Sequence, residues 1–598
     1  MEIIHKLGRR ALKKEGEGSF LLTDKKGSYL SFGSKQNITH MQGWFFLDNH
    51  WNMYKCVENI YLDKEMSGLE NNFSHVVRMY DSSEEMFYLT STALIYEAKN
   101  YSGNINLELD FRSIFDYDDK NRMYSVQKER DIIIICYEKH KKYLAIKGIS
   151  EFENVGVWDK REYSYDKLRN TRFEFYIYKA MNIKCKDNIK LFFSFSDKKQ
   201  EALENVISAA KNEAILKKSC DLRVKNVCKE ENISFDAAAH SLDGLRTKIG
   251  KGNNELEGLF AGLPWFYQFW SRDELISLKA FMLEGKFEFV KKRLMSYLNS
   301  MNNNGRIPNR TPNTLLESAD ATFWLFKRFY DFLTLLDENG VLKKFFSTND
   351  LELIKHKLHL CIEEQTTKYM KQSLVFSSNK ETWMDTDVGN GGREGFCIEI
   401  QALFLSTFKL MKLLCRKLKL SFLGYDSLEK MLSEDVRNSF FKDGLLLDRV
   451  KDTTPRPNIF IAYYCYPELL KKYEWKMVFD KIIGKLWLDW GGLSTIDKND
   501  TSFQPRYTGH NNLSYHHGDS WFWINNLAAV CMFDLDKKKF HYFIDYIYKA
   551  SENEILSSGF IGHCAELSSA EKQLSEGCLA QAWSAATFIE LAYKFKPL

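Results

Sequence analysis

Two short stretches hold carboxyl groups in settings where a carboxyl does chemistry. The first is Glu381-Thr382-Trp383-Met384-Asp385-Thr386-Asp387, which runs into a glycine-containing segment and then into Glu399. A carboxyl beside an indole loses part of its hydration, its pKa rises, and it can carry a proton at neutral pH as a general acid. An Asx-rich turn explains the same residues equally well. The second is Gly562-His563-Cys564-Ala565-Glu566-Leu567, followed by Gly577-Cys578-Leu579-Ala580-Gln581-Ala582-Trp583-Ser584. It puts Glu566 in a loop ahead of the last predicted helix, while Glu571 and Glu576 read as surface residues. Glycosidic bonds are cut by such a pair: one carboxyl protonates the leaving oxygen, and the other activates water or attacks carbon. An inverting arrangement leaves roughly 6.5–9.5 Å between them. The two groups must then come from well-separated loops that face across one pocket, and Asp385 with Glu566 meet that requirement.

Three further stretches supply polar and aromatic neighbours. Trp265-Phe266-Tyr267-Gln268-Phe269-Trp270-Ser271-Arg272-Asp273-Glu274 ends in the pattern of a capping box, with Ser271 as N-cap and Glu274 three residues on. Arg272 and Asp273 then fall in the first helical turn. They read either as a surface ion pair or as a guanidinium and a carboxylate that hold sugar hydroxyls beside aromatic walls. Gly305-Arg306-Ile307-Pro308-Asn309 precedes Ser318-Ala319-Asp320-Ala321, where Asp320 opens an apolar helix and has a simple stabilising role at its N-terminus. Tyr515-His516-His517-Gly518-Asp519-Ser520-Trp521-Phe522-Trp523 pairs two histidines with aromatics. Adjacent side chains rarely converge on one metal, so this reads as a substrate wall or as core. His356 and His359, which lack a third ligand, read as an exposed helix face.

The elements that must carry these loops change character along the chain. The first third alternates and breaks often. Residues 19–23, 131–136, 143–146, 172–178 and 190–195 read as strands, with 131–136 and 143–146 forming a hairpin, and many short strands predict a β-sandwich. Near Asp197 the period becomes helical. Residues 199–218, 351–364, 399–418, 475–486 and 579–594 read as amphipathic helices joined by long aromatic loops. The expected architecture is an N-terminal β-sandwich over residues 1–197, followed over 198–598 by an α/α toroid, a barrel of helical hairpins with its loops gathered at one end.

Composition narrows the partners. With 84 basic and 80 acidic residues the formal net charge is +4 over 598 residues, and no concentrated basic face marks a nucleic-acid partner. Aromatic residues reach 15%, which suits core packing and equally suits stacking against the C–H faces of sugars. The 12 cysteines are scattered without metal-ligand spacing and read as reduced, buried thiols. A charged N-terminus without an apolar segment, and no window of membrane-spanning length, make a cytoplasmic protein with no membrane partner the expectation.

These stretches, taken in order, resemble the amylo-α-1,6-glucosidases, the glucosidase portion of glycogen debranching enzymes and relatives of the glucoamylases. Ala261-Gly262-Leu263-Pro264-Trp265-Phe266 with Trp270-Ser271-Arg272-Asp273, Gly305 to Asn309 with Asp320-Ala321, Thr382-Trp383-Met384-Asp385, Glu399-Ile400-Gln401-Ala402-Leu403, Arg456-Pro457-Asn458 and Gly577-Cys578 with Ala580-Gln581-Ala582-Trp583-Ser584 carry the likeness. The resemblance implies an exo-acting inverting α-glucosidase that cuts α-1,6-linked glucose stubs from glycogen-like glucans, without metal or cofactor. Glucoamylase- or trehalase-like specificity and a glycoside phosphorylase are the alternatives. It makes Asp385 the general acid and Glu566 the general base. Arg272 and Asp273 would hold the terminal glucose, and Trp265, Trp383 and Trp583 would wall the pocket. Asp320, Glu399, His516 and Gln581 complete the implied substrate site. His517 departs from the family's glutamine, and Cys564-Ala565-Glu566 departs from its usual base loop.

Overall fold

The computed structural model describes residues 1–33, 36–229, 232–250, 252, 255–312, 317–386 and 392–595. They form two compact units. The first is Met1–Glu257 with Leu263–Tyr267 and Asn553–Cys564. The second is Gly258–Gly262, Gln268–Glu552 and Ala565–Leu598.

In the first unit, fifteen strands form one curled sheet. Two long strands, Leu94–Ser113 and Glu174–Ser196, pair antiparallel from Leu94↔Phe193 to Leu109↔Tyr178. The first half of Leu94–Ser113 also pairs with Glu84–Leu89, and its second half with Met53–Leu62. The sheet therefore branches into two leaves over a shared core. Phe20, Phe32, Trp44 and Ile60 come from one leaf; Ile3, Leu69, Phe87, Tyr96 and Ile133 come from the other. The expected hairpin is present as Ile132–Tyr137 against Lys142–Lys147. Its unbroken isoleucine run is buried on both faces. Ile133 and Ile135 enter the core between the leaves, while Ile132 and Ile134 lie under Ala202, Val206 and Ala209 of the helix Lys199–Lys211.

Two expectations change here. The separate strands at 172–178 and 190–195 are one strand, Glu174–Ser196. Pairing continues through the polar Lys186-Asp187-Asn188 segment, with Asp187 at φ 73, and the register shift beside it is taken up in the partner strand, which has one extra residue between Ala98 and Tyr101 and Asn100 at φ 54. The single helix at 199–218 breaks at Asn212 into Lys199–Lys211 and Glu213–Val227.

The second unit is helical. Ser271–Leu283, Ala319–Glu338, Ile398–Leu418, Asn458–Cys465 and Ala582–Phe595 are buried on almost every face, as is the first part of Phe522–Ser557. Phe287–Asn299, Thr348–Glu364, Leu423–Phe440 and Lys472–Leu486 bury one face only. Such a mixture arises when an inner layer of helices is covered by an outer one. Ala582–Phe595 packs on Ser271–Leu283, which packs on Ala319–Glu338; that helix packs on Ile398–Leu418, which packs on Asn458–Cys465. The segment Phe522–Ser557 is two helices joined at Asp536, whose backbone is extended (φ −165, ψ 87) and whose side chain accepts from Lys539 N at 3.1 Å. Among the described residues no helix is long and apolar enough to cross a membrane.

The inner helices share one property that positions chemistry. Arg272 and Asp273, Asp320, Glu399, Asn458, Trp523, and Trp583 with the adjoining Gln581 all lie at the N-terminal end of a buried helix. Unpaired N–H groups and the helix dipole favour anionic side chains at those ends.

Candidate active site

The site is built around the Arg272 guanidinium, which is 2% exposed. Its Nε donates to Asp320 Oδ2 at 2.6 Å, its Nη1 to Asp385 Oδ2 at 3.2 Å and its Nη2 to Ser318 Oγ at 3.3 Å. Ser318 caps the helix Ala319–Glu338 and donates its hydroxyl proton to Asp320 Oδ1. The Asp385 loop is docked on the same helix end: Ala319 N and Asp320 N donate to Glu381 O at 3.1 and 3.3 Å. One helix terminus thus fixes both Asp320 and the loop of the candidate acid.

The Ser271–Glu274 capping box is not formed. Trp270 is the N-cap without a side-chain cap, and the Ser271 hydroxyl donates to Asn309 O at 2.9 Å. Glu274 turns inward to a buried pair with Arg293, at 2.6 and 3.1 Å, and to the Tyr297 hydroxyl at 2.6 Å. A buried guanidinium outcompetes a single N-terminal amide for this carboxylate.

Asp385 keeps 35% of its side-chain surface accessible, whereas its partner Arg272 keeps 3%. The enclosing protein raises the Asp385 carboxyl above its ordinary value; removal from bulk water is the main cause, Arg272 opposes it and the nearby Asp320 charge adds to it. Asp320 takes the shorter bond to Arg272 and Asp385 the longer one, so Asp385 shares a guanidinium already paired with a carboxylate.

Glu566 is 2% exposed and fixed at both oxygens. The Tyr515 hydroxyl donates to Oε1 at 2.5 Å, and Cys578 N donates to Oε2 at 2.9 Å. Its own backbone N–H donates to Cys578 O at 2.8 Å. Gly577, at φ 67, lies so close that a β-carbon there would run into the Glu566 carboxylate. The Gly-Cys pair is therefore a cradle: glycine supplies the left-handed turn and the room, and cysteine supplies the amide.

Asp273 feels both carboxyls. Burial pushes it up to about 8, Arg272 opposes this, and the charges of Glu566 and Asp385 both add to it. Gln581 Nε2 donates to Asp273 Oδ1 at 3.1 Å. Tyr515, raised by burial, also senses both Glu566 and Asp385. Asp385 and Glu566, distant in sequence, thus act on the same two neighbours.

An aromatic hub backs the site. Trp383 meets His516, Trp521 and Trp523 edge-on at 5.4, 5.4 and 5.1 Å, and Trp523 stacks on Trp583 at 5.0 Å. The Trp383 indole donates to Asn458 Oδ1 at 2.6 Å. His516 stacks on Trp521 at 5.4 Å. Burial and the charge of Arg456 hold it well below its ordinary pKa, so it is neutral, and neither ring nitrogen has a hydrogen-bond partner among the described residues.

The remaining expected site residues have their own partners. Glu399 receives both Nη2 bonds of Arg393, at 2.6 and 2.8 Å, and Arg393 also holds Asp448. Burial pushes Glu399 up to about 7, with Arg393 opposing and Asp448 adding. Asn458 Nδ2 donates to Asp448 Oδ1 at 2.7 Å, so Glu399, Arg393, Asp448 and Asn458 form one connected buried group. Trp265 belongs to the first unit, where the Arg169 guanidinium lies 3.6 Å over its ring. Asp387, Gly389 and Gly391 lie outside the described residues. Glu571 is exposed and paired with Arg506 at 2.8 Å, whereas Glu576 is buried, against expectation, in the backbone pairing with Leu567.

Sequence reasoning passed over Tyr515, Ser318, Arg393 and Asp519. Tyr515 neighbours the histidine pair, and its position in that motif was the available signal. Asp519 accepts from the Ser514 hydroxyl at 2.7 Å and is pushed up to about 8 by burial, against which Ser514 acts and to which Glu566 adds. Among the described residues no group of three or more histidine, cysteine, aspartate or glutamate side chains is arranged to hold a metal ion.

The profile of a family described as amylo-alpha-1,6-glucosidase matches residues 237–590. No curated protein matches the chain. Among solved structures, a bacterial glucoamylase complexed with acarbose is similar in fold, with a TM-score of 0.64 at 11% identity, over 97% of this chain and 95% of that one. An uncharacterized conserved protein from Thermus thermophilus aligns over 60% of this chain and 98% of its own, with a TM-score of 0.44 at 10% identity.

The charge state of Asp273 has a measurable consequence. A carboxyl raised from 3.8 to about 8 is protonated in the folded chain and ionised in the unfolded one between those values. The stability it contributes is full below the unfolded pKa and is lost as pH rises toward 8. Asp273→Asn removes that loss and should raise stability at pH 7.5 by roughly 1–2 kcal/mol while changing it little at pH 4. Denaturant midpoints at both pH values would check this; equal pH slopes in variant and parent would refute it.

Proposed function

This chain belongs to the amylo-α-1,6-glucosidase family of glycoside hydrolases, and on that premise we propose that it is an exo-acting, inverting α-glucosidase. Its substrate would be the α-1,6-linked glucose stub of a glycogen-like glucan, held at the N-terminal ends of the inner helices of a six-hairpin toroid. The observation that carries the reading is the asymmetry of two carboxyls around Asp273. Asp385 is raised and reaches solvent, while Glu566 is buried and accepts two hydrogen bonds.

In this mechanism Asp385 protonates the glycosidic oxygen as the bond to the anomeric carbon breaks. Glu566 removes a proton from water, and the water oxygen attaches to that carbon from the opposite face. The products are β-glucose and the shortened glucan. Arg272, with Asp320, orients Asp385, and the Tyr515 hydroxyl and Cys578 amide orient Glu566. Donors on Glu566 favour its anionic form, which a base requires; burial and Asp320 favour the protonated form of Asp385, which an acid requires. Asp273 and Gln581 form a paired acceptor and donor suited to sugar hydroxyls.

Asp385→Asn and Glu566→Gln should each lower kcat by about 10³-fold or more with glucan binding retained. Glucose first released from a limit dextrin should be the β-anomer by NMR. Turnover within tenfold of wild type in either variant removes that residue from its role, and α-glucose as first product removes the inverting mechanism. Comparison of limit dextrin, isomaltose, panose, maltose and trehalose sets the linkage, and with phosphate present glucose-1-phosphate as product would replace hydrolysis by phosphorolysis.

Asp320→Asn tests the coupling of acid and guanidinium. Removing the Asp320 charge frees Arg272 to stabilise ionised Asp385, so the pKa of the acid falls. An acid must be protonated to work, so activity is lost as pH rises through that pKa. The alkaline limb of kcat/KM should therefore move to lower pH in Asp320→Asn, by about 1 unit for one charge at this range. An unmoved limb, or one moved upward, contradicts the assignment.

A further inference from the structure

The first unit contains an open cleft of about 820 Å³ where the segments around Asp24, Phe46–His50 and Leu89–Ala93 meet the start of the helix Lys199–Lys211. Its volume lies within the range of small-molecule sites. Trp44 lines it, and the indole N–H of this 4%-exposed residue has no acceptor among the described residues. Phe46, half-buried, adds an aromatic surface. Asp24 lines the cleft and accepts from Lys26 N and Ser28 N at 2.7 and 3.0 Å. Around these lie serine, threonine, asparagine and glutamine side chains, and carboxylates outnumber lysines five to three.

An excess of carboxylates works against phosphates and polyanions. Rings beside alternating donors and acceptors suit a ligand with apolar C–H faces and many hydroxyls. We propose that this cleft binds a neutral oligosaccharide, a segment of the glucan chain, as a site separate from the catalytic carboxyls. The assignment rests on the glucan-hydrolase reading for its ligand class. The first unit would then hold a stretch of glucan in addition to the terminal glucose being cut.

The test uses the full chain carrying Asp385→Asn, so that the ligand survives, and hydrogen–deuterium exchange with maltoheptaose, with isomaltotriose and with calcium chloride alone. Exchange should slow at least threefold in residues 24–28, 46–50, 89–93 and 196–205 with an oligosaccharide and not with calcium. Gln200→Ala with Glu204→Ala, both exposed on the helix, and Asn205→Trp, which fills the cleft, should abolish that protection. In the otherwise wild-type chain the same changes should raise KM for long branched glucan at least threefold and leave kcat/KM for isomaltose unchanged. No protection of these segments at oligosaccharide concentrations that protect residues 383–386, protection by calcium alone, or an unchanged glucan KM in the filled variant each overturns the proposal. A chain that hydrolyses no glucan defeats the catalytic reading instead, and the exchange experiment still reports whether the cleft takes a sugar.

Discussion

One guanidinium shared between two carboxylates sets the rest of the candidate site's geometry. Arg272 starts one buried helix, Asp320 starts the next, and Asp385 lies on the loop tied to that second helix end. Taking these charges out of water costs several kcal/mol per ion unless the geometry compensates. Here the compensation is nearly complete for Arg272, with three acceptors, and for Asp320, with Arg272 and Ser318. It is least complete for Asp385, which holds the longer bond and the open face. The Arg272–Asp320 pair is the more fully satisfied, and Asp385 is the less satisfied and more accessible third member.

The same logic extends around the helix ends. Helix N-termini attract negative charge, and the chain places more buried carboxyls there than arginines can neutralise. Asp273 and Asp519 are pushed up to about 8 and Glu399 to about 7. Glu399 is compensated by Arg393. Among the described residues Asp273 has no guanidinium of its own; Gln581 offers it an amide, and its proton makes up the rest. An enclosed site with protonated carboxyls costs stability at neutral pH, and that is the usual cost of a poised polar site. The aromatic hub of Trp383, Trp521, Trp523 and Trp583 offsets part of it by packing rings edge-to-face and stacked beneath the polar layer.

Much of this was legible because the relevant signals are local. The change of period near Asp197, the isoleucine hairpin and the long helices each depend on residues close in sequence. The loops carrying Asp385 and Glu566 stand out because carboxyls beside aromatics and glycines are costly without a use. What escaped depends on contacts across the chain. Glu274 resembles a capping residue until Arg293 is placed beside it. Tyr515 gives no sign that its hydroxyl reaches a glutamate 51 residues away. The strand Glu174–Ser196 reads as two because the polar Lys186-Asp187-Asn188 segment lacks apolar alternation, and only its pairing with Tyr101 and Ser102 carries the strand through. The reason given for the raised Asp385 carboxyl also changes: Trp383 turns its ring into the hub and its N–H to Asn458, and the shift comes from burial with Asp320.

The two candidate catalytic carboxyls are therefore distinguished by what surrounds them and not by residue type. Glu566 is the more deeply buried. Two donors, one of them a backbone amide that cannot move away, hold its two oxygens in place. Gly577 makes this possible, since any side chain there would displace the carboxylate from the Cys578 amide. Asp385 has the reverse arrangement: more access to solvent, but a neighbouring negative charge and only part of one guanidinium. An aspartate in the Gly-Cys cradle would be one methylene shorter than glutamate and would fall short of one of the two donors. Glutamate at 566 supplies the reach to the Tyr515 hydroxyl and the Cys578 amide, and the raised Asp385 carboxyl follows from its own enclosure and its charged neighbours.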